Sequence, residues 1–271
     1  MSFGVCLENV RNKSPLIHNI TNYVTVNDVA NVLLACGGSP IMADEPDDAV
    51  EITQICNGLN INIGTLNSRT ITSMFKAGLK ASELGHVLLL DPVGAGASSL
   101  RTNTALRLIK EIKFDVIRGN ASEIKTLALG SGTTHGVDAD KADSVSDNNL
   151  AFMIDFVKNF AQSSGSIIAL TGAIDLVSDS SKCYVIRNGR PEMGRITGTG
   201  CQLSGIMTAF IAANPDNKLE SSAAAVALMG LAGELAFKDG VGNSSYRNNI
   251  IDEIYNMTSE ELDRGAKYEI F

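Results

Sequence analysis

Apolar positions along the chain fall into two alternating patterns. Short unbroken runs, such as Val87-Leu88-Leu89-Leu90 and Ile167-Ile168-Ala169-Leu170, alternate with longer stretches of helical spacing. Unbroken runs of this length suit strands covered on both faces, as in a parallel sheet. Strands are predicted at 39–42, 59–63, 86–91, 114–118 and 167–172. The 59–63 segment, Leu-Asn-Ile-Asn-Ile, has period two and predicts a half-buried strand. Helices are predicted at 26–36, 47–56, 69–84, 102–112, 149–163, 202–213, 219–238, 248–257 and 259–265. The 219–238 helix is apolar on most sides, which predicts burial. Segments 175–178 and 182–186 read as a hairpin. The alternation continues to the end without a repeat or Pro-rich linker, so residues 1–271 are expected to form a single α/β domain.

Two stretches depart from this rhythm. Residues 14–28 are rich in Asn and Thr, including Asn19, Thr21, Asn22, Thr25 and Asn27. A buried strand does not hold several amides without partners. The segment is therefore expected to be an exposed edge presenting amide and hydroxyl groups. Residues 130–147 are polar and rich in Gly and Asp, and predict a surface loop.

Composition narrows the function. The net charge of −8 argues against nucleic acid or an anionic membrane as a partner, while leaving room for a nucleotide held by local positive potential. The first residues lack the basic and apolar segments of a signal peptide. The longest apolar run, 223–233, is too short to cross a bilayer, so a cytoplasmic protein is expected. The 5 cysteines form no C-x-x-C pair and the 3 histidines are scattered, so neither a zinc site nor a disulfide framework is indicated. Cys6, Cys36, Cys56 and Cys183 read as small core residues. Cys201 alone lies in a polar, Gly-rich setting.

That setting is Ile196-Thr197-Gly198-Thr199-Gly200-Cys201, which runs into a predicted helix. A Gly-rich helix start leaves backbone N–H groups unpaired and, with the helix dipole, forms a site for an anion. Other chemistry-bearing groups fall at the carboxyl ends of predicted strands, where α/β sheets hold ligands. They are Asp91 before Pro92-Val93-Gly94-Ala95-Gly96, Arg118 before Gly119-Asn120-Ala121-Ser122-Glu123, and Thr171 before Gly172. Two carboxylates can hold Mg²⁺, and an Arg with a helix N-terminus can hold phosphates. Together they make a kit for phosphoryl transfer. Each has a plainer reading: an ordinary helix start capped by Thr197 or Thr199, a turn carboxylate at Asp91, and a dipole-complementing carboxylate at Glu123. Neither G-x-x-x-x-G-K-[ST] nor G-x-G-x-x-G occurs.

In this order, six stretches resemble the ribokinase-like superfamily and, within it, the hydroxyethylthiazole kinases of thiamin salvage. They are His18-Asn19-Ile20-Thr21-Asn22-Tyr23-Val24, Pro40-Ile41-Met42-Ala43, residues 91–96, residues 118–123, Thr171-Gly172 and Gly198-Thr199-Gly200-Cys201. Most of the superfamily carries Asp where this chain has Cys201, and the thiazole kinases are the branch with Cys. The resemblance implies a central, mostly parallel sheet flanked by helices on both faces. It implies ATP and Mg²⁺-dependent phosphorylation of 4-methyl-5-(2-hydroxyethyl)thiazole by a homotrimer with sites at subunit interfaces. It implies thiazole contacts from Asn22, Val24, Met42 and Gly198, and ATP contacts from Arg118 and Thr171. Asp91 and Glu123 are implied to organise Mg²⁺. Gly198, Thr199, Gly200 and Cys201 are implied to form the anion hole, with Cys201 near the substrate hydroxyl. Rival readings are another ribokinase-like activity, a non-catalytic ligand-binding regulator, and a cysteine hydrolase. The last needs a base beside Cys201, and no His can be assigned there from sequence.

Overall fold

The structure is a computed structural model, and it describes residues 1–130 and 144–271. Most of the stretch expected to be a surface loop, 130–147, lies outside the described residues. Among the described residues nine strands form one sheet in the order β2-β1-β3-β4-β5-β6-β7-β8-β9. They are β1 (Leu16–Ile20), β2 (Ser39–Ile41), β3 (Gly58–Asn62), β4 (Val87–Asp91), β5 (Val116–Gly119), β6 (Ile167–Leu170), β7 (Asp175–Ser178), β8 (Cys183–Ile186) and β9 (Tyr268–Ile270). The pairs from β2 to β6 are parallel, and those from β6 to β9 are antiparallel. The sheet is thus mostly parallel, with the predicted hairpin as β7–β8.

Helices cover both faces, because every parallel crossover must return over one of them. One core packs α1 (Phe3–Lys13), α2 (Val26–Cys36), α8 (Thr199–Ala213), α9 (Lys218–Ala236), α10 (Asn243–Asn256) and α11 (Ser259–Gly265) against one face. The other packs α3 (Pro46–Ile55), α4 (Ser68–Leu84), α5 (Ser99–Glu111), α6 (Ala121–Leu129) and α7 (Leu150–Ser164) on the opposite face. Cys6, Cys36 and Cys183 are buried free thiols in these cores, Cys56 is a buried free thiol outside them, and burial pushes each of the four up to about 11.

Several expectations need correction. The Asn-rich segment is no exposed edge. β1 lies between β2 and β3, with Ile17, His18, Asn19 and Ile20 all buried. Its polar side chains are affordable there because each has a partner. Asn19 donates to the Ile17 carbonyl at 2.9 Å and accepts from Asn60 at 3.0 Å. His18 contacts Thr53 Oγ1 at 2.9 Å and the Ala43 carbonyl at 2.8 Å. β3 is buried throughout rather than half-buried, since helices close both of its faces. Two elements carried no sequence signal strong enough to predict: α1 and the short, exposed β9. α10 begins five residues earlier than the predicted 248, at Asn243. The segment Pro215–Ala236 is long and apolar enough to cross a membrane, and 83% of its apolar window is buried inside the protein. Within this fold it is a core helix, apolar all round because protein surrounds it.

Candidate active site

The parallel order turns at β1, whose neighbours β2 and β3 lie on opposite sides. Chains leaving β1 and β3 diverge there, and the gap they open at the carboxyl ends of strands is the usual ligand crevice of such sheets. The N-terminus of α8 comes to this crevice. Gly198 precedes the helix with φ +89°, a conformation in which a Cβ would be strained and would meet the Thr25 side chain. No side chain caps this end, so the first-turn N–H groups remain for a ligand. The helix starts at Thr199, three residues before the predicted 202, and Gly200 and Cys201 therefore lie within its first turn.

Gly200 leaves space for Arg118. A Cβ there would lie 2.5 Å and 2.6 Å from the two terminal nitrogens of the guanidinium. Arg118, the third residue of β5, donates through Nη2 to Thr171 Oγ1 at 2.6 Å, and its Nη1 stands 3.6 Å from Asp91 Oδ1. Asp91 ends β4 and is fully buried. Its Oδ2 accepts from Asn62 Nδ2 and Ser204 Oγ, both at 2.8 Å, while Oδ1 is buried without a hydrogen-bond partner. Burial pushes the Asp91 carboxyl above the usual range, against the pull of Arg118 and its two donors. Glu123 is the N3 residue of a capping box with Asn120, whose N–H it accepts at 2.8 Å, and its other oxygen accepts the Gly94 N–H at 2.8 Å. Burial, then the charge of Asp91, pushes Glu123 upward. Glu123 thus complements the N-terminus of α6 and also feels the charge of Asp91.

Cys201 lies on the other side of Asp91. Its Sγ accepts from Asn22 Nδ2 at 3.2 Å and Asn62 Nδ2 at 3.3 Å. Burial and the charge of Asp91 hold its thiol above the ordinary range. A cleft of about 500 Å³ opens from Arg118, Thr171, Thr199 and Gly200 towards Met193, Arg190 and Met229. Asn22, Gly198, Gly200, Cys201, Asp91, Arg118, Thr171 and Glu123 are thus brought to one crevice. Val24 is 57% exposed, and Met42 is half-buried against the core that contains α8. Among the described residues no group of three or more His, Cys, Asp and Glu could hold a metal by itself.

The chain matches the sequence profile of the hydroxyethylthiazole kinase family over residues 7–260. It belongs to that family. A hydroxyethylthiazole kinase of Clostridium acetobutylicum is 59% identical, over 98% of both chains. The structure of a hydroxyethylthiazole kinase protein from Pyrococcus horikoshii OT3 is 33% identical and superposes with a TM-score of 0.89, covering 99% of this chain and 98% of that one. A ribokinase-like superfamily protein from Enterococcus faecalis V583 shares the fold, with a TM-score of 0.62, 14% identity and coverage of 93% and 89%.

Sequence reasoning missed two residues of this family member's crevice. Asn62 sat in an alternating strand and read as solvent-facing. The available signal was that every polar position of that strand was Asn and none was charged. Ser204 lay in the predicted 202–213 helix without being singled out, one turn after Gly200, where its hydroxyl reaches Asp91.

Proposed function

We propose that this enzyme transfers the γ-phosphoryl group of ATP to the primary hydroxyl of 4-methyl-5-(2-hydroxyethyl)thiazole. The observation that carries this reading is the convergence of an uncapped helix N-terminus and Arg118 on one cleft, with buried Asp91 3.6 Å from Arg118 and buried Glu123 within reach of both charges. Phosphoryl transfer asks a protein mainly for alignment and for neutralisation of charge on the transferred group, and these are groups of that kind.

The first-turn N–H groups of Thr199, Gly200 and Cys201 receive the γ-phosphoryl oxygens. Arg118, oriented by Thr171, reaches the same phosphates with its free donors. The donor set suits Mg²⁺: Asp91 Oδ1 is buried and accepts no hydrogen bond, and the mutual repulsion of Asp91 and Glu123 is offset only in part by Arg118, 3.6 Å from that oxygen. Asp91 offers a direct ligand. Glu123 has each oxygen engaged by an N–H and suits a metal-bound water. Mg²⁺ held there would supply charge neutralisation to the nucleotide. Asn22, Val24, Met42 and Gly198 line the thiazole site, with Met42 adapting to the ring.

Cys201 lies beside the acceptor hydroxyl in this reading. Its sulfur already receives two amide N–H groups, which occupy the lone pairs a neutral thiol would use to accept a proton. The thiol therefore helps to position the hydroxyl, and early proton removal is of small value in a loose transition state. The exposed Val24 suits a site completed by a neighbouring subunit, as in a homotrimer. Residues 1–271 act as one domain, in the cytoplasm.

The test is ADP release from ATP and Mg²⁺ with and without hydroxyethylthiazole, with mass detection of the product. Thiazole-dependent ADP with an equal amount of phosphate ester is expected. A folded protein that binds ATP and yields no such ester would remove the thiazole as substrate.

A further inference from the structure

We propose that Asn62 is a positioning residue for phosphoryl transfer, holding Asp91, Cys201 and Asn22 in one fixed arrangement. This rests on the kinase reading of the site. Asn62 is 1% exposed and ends β3, in parallel register with Asp91 on β4. Its amide nitrogen has two hydrogens, and two acceptors meet them: Asp91 Oδ2 at 2.8 Å and Cys201 Sγ at 3.3 Å. Its amide oxygen has two lone pairs, and two donors meet them: Asn22 Nδ2 at 3.0 Å and the Gly64 N–H at 2.9 Å. All four hydrogen-bonding positions are filled, so a flipped amide would face two donors with its nitrogen and two acceptors with its oxygen. The orientation is therefore unique.

Asn22 continues the network with its own amide fully used. Its nitrogen reaches Asn62 and Cys201, and its oxygen accepts from Thr25 N at 3.2 Å and Thr25 Oγ1 at 3.1 Å. Gly64 keeps the space free, since a Cβ there would come within 3.1 Å of both amides. No other side chain type replaces Asn62. Asp has the oxygens but no donors, Ser has a single donor, and Gln is one carbon too long. Water cannot substitute readily at a site this buried, so a lost hydrogen bond leaves its partner unsatisfied. The network joins the carboxylate assigned to Mg²⁺, the thiol beside the acceptor hydroxyl, and the amide facing the thiazole. Freed from Asn62, each of the three gains rotamers, and small misplacements are costly to in-line transfer.

The test uses Asn62→Ala and Asn62→Ser in the full chain, alone and combined with Cys201→Ala, with melting temperature recorded for each. Asn62→Ala is expected to lower kcat at least tenfold while the KM for ATP stays within threefold, and Asn62→Ser to recover part of the loss. Because the two residues act through one network, Asn62→Ala should cost at least threefold less in the Cys201→Ala background than alone. Independent, multiplicative losses would overturn the proposal, as would a kcat within twofold of the wild type. Failure of both Asn62 variants to fold would also overturn it, assigning the residue a structural role. The crystal structure of Asn62→Ala gives a readout that needs no turnover. Asp91 or Cys201 leaving its rotamer supports the network, and both staying in place refutes it. Absence of thiazole phosphorylation by the wild type would count against the kinase reading alone.

Discussion

At the scale of single residues, the site is organised by hydrogen bonds that leave few atoms unassigned. Cys201 illustrates the consequence. Its thiol is held above its ordinary range by burial and Asp91, and both amide neighbours donate to it. Cys201→Ala should therefore keep measurable activity, with kcat reduced by less than about 10²-fold, the lower end of what a general base contributes. Cys201→Asp should be active, since a carboxylate is well received by the Asn22 and Asn62 donors. A coupled ADP assay on both variants decides, and loss of all turnover in both, with folding intact, would contradict this view. The carboxylates give a pH dependence. Asp91 and Glu123 are both raised by burial. As pH falls they take up protons earlier than free carboxylates, and the protonated forms hold Mg²⁺ poorly. The acid limb of kcat/KM should therefore lie above the ordinary carboxylate range of about 4. It should move to lower pH as Mg²⁺ is raised, because the cation competes with protons. Rate profiles at two Mg²⁺ concentrations measure both effects.

At the scale of elements, the meeting of α8 with the end of β5 makes the anion site, and Gly200 is the point of contact. Ala is the better helix former by up to about 1 kcal/mol, so Gly200→Ala should leave the melting temperature unchanged or slightly higher. The added methyl displaces the far end of the Arg118 side chain from its place beside Thr171 and Asp91. The kcat should nevertheless fall about 10²-fold, the scale seen for losing one donor to the transition state. Stability and activity moving in opposite directions would isolate the Arg118 contact, whereas wild-type kcat would show that Arg118 does not need this place. Most helices and strands were legible in the chain because apolar runs and helical spacing are local. β1 and β3 were misread for one physical reason. An Asn reads as solvent-facing until its partner is known, and the partners of Asn19 and Asn62 lie 41 and 29 residues away, respectively.

At the scale of the whole molecule, a homotrimer would have three times the 28.6 kDa chain mass. Light scattering coupled to size exclusion should find that mass. Val24→Asp should lower both the trimer fraction and thiazole turnover, since Val24 is exposed beside the site in the isolated chain. A monomer with full activity would remove the shared-site reading. By itself the sequence determined the alternation of strands and helices, the Gly-rich helix start and the strand-end positions of Asp91, Arg118 and Thr171. All of these follow from short-range spacing and from the backbone freedom of glycine. Tertiary structure decided which groups meet. It buried the Asn-rich strand inside the sheet, set Asn62 between Asp91 and Cys201, laid Arg118 across Gly200, and turned an apparent half-buried strand into a core one. Those outcomes depend on pairing between residues distant in the chain, and local hydropathy carries no record of which distant group will satisfy a buried amide.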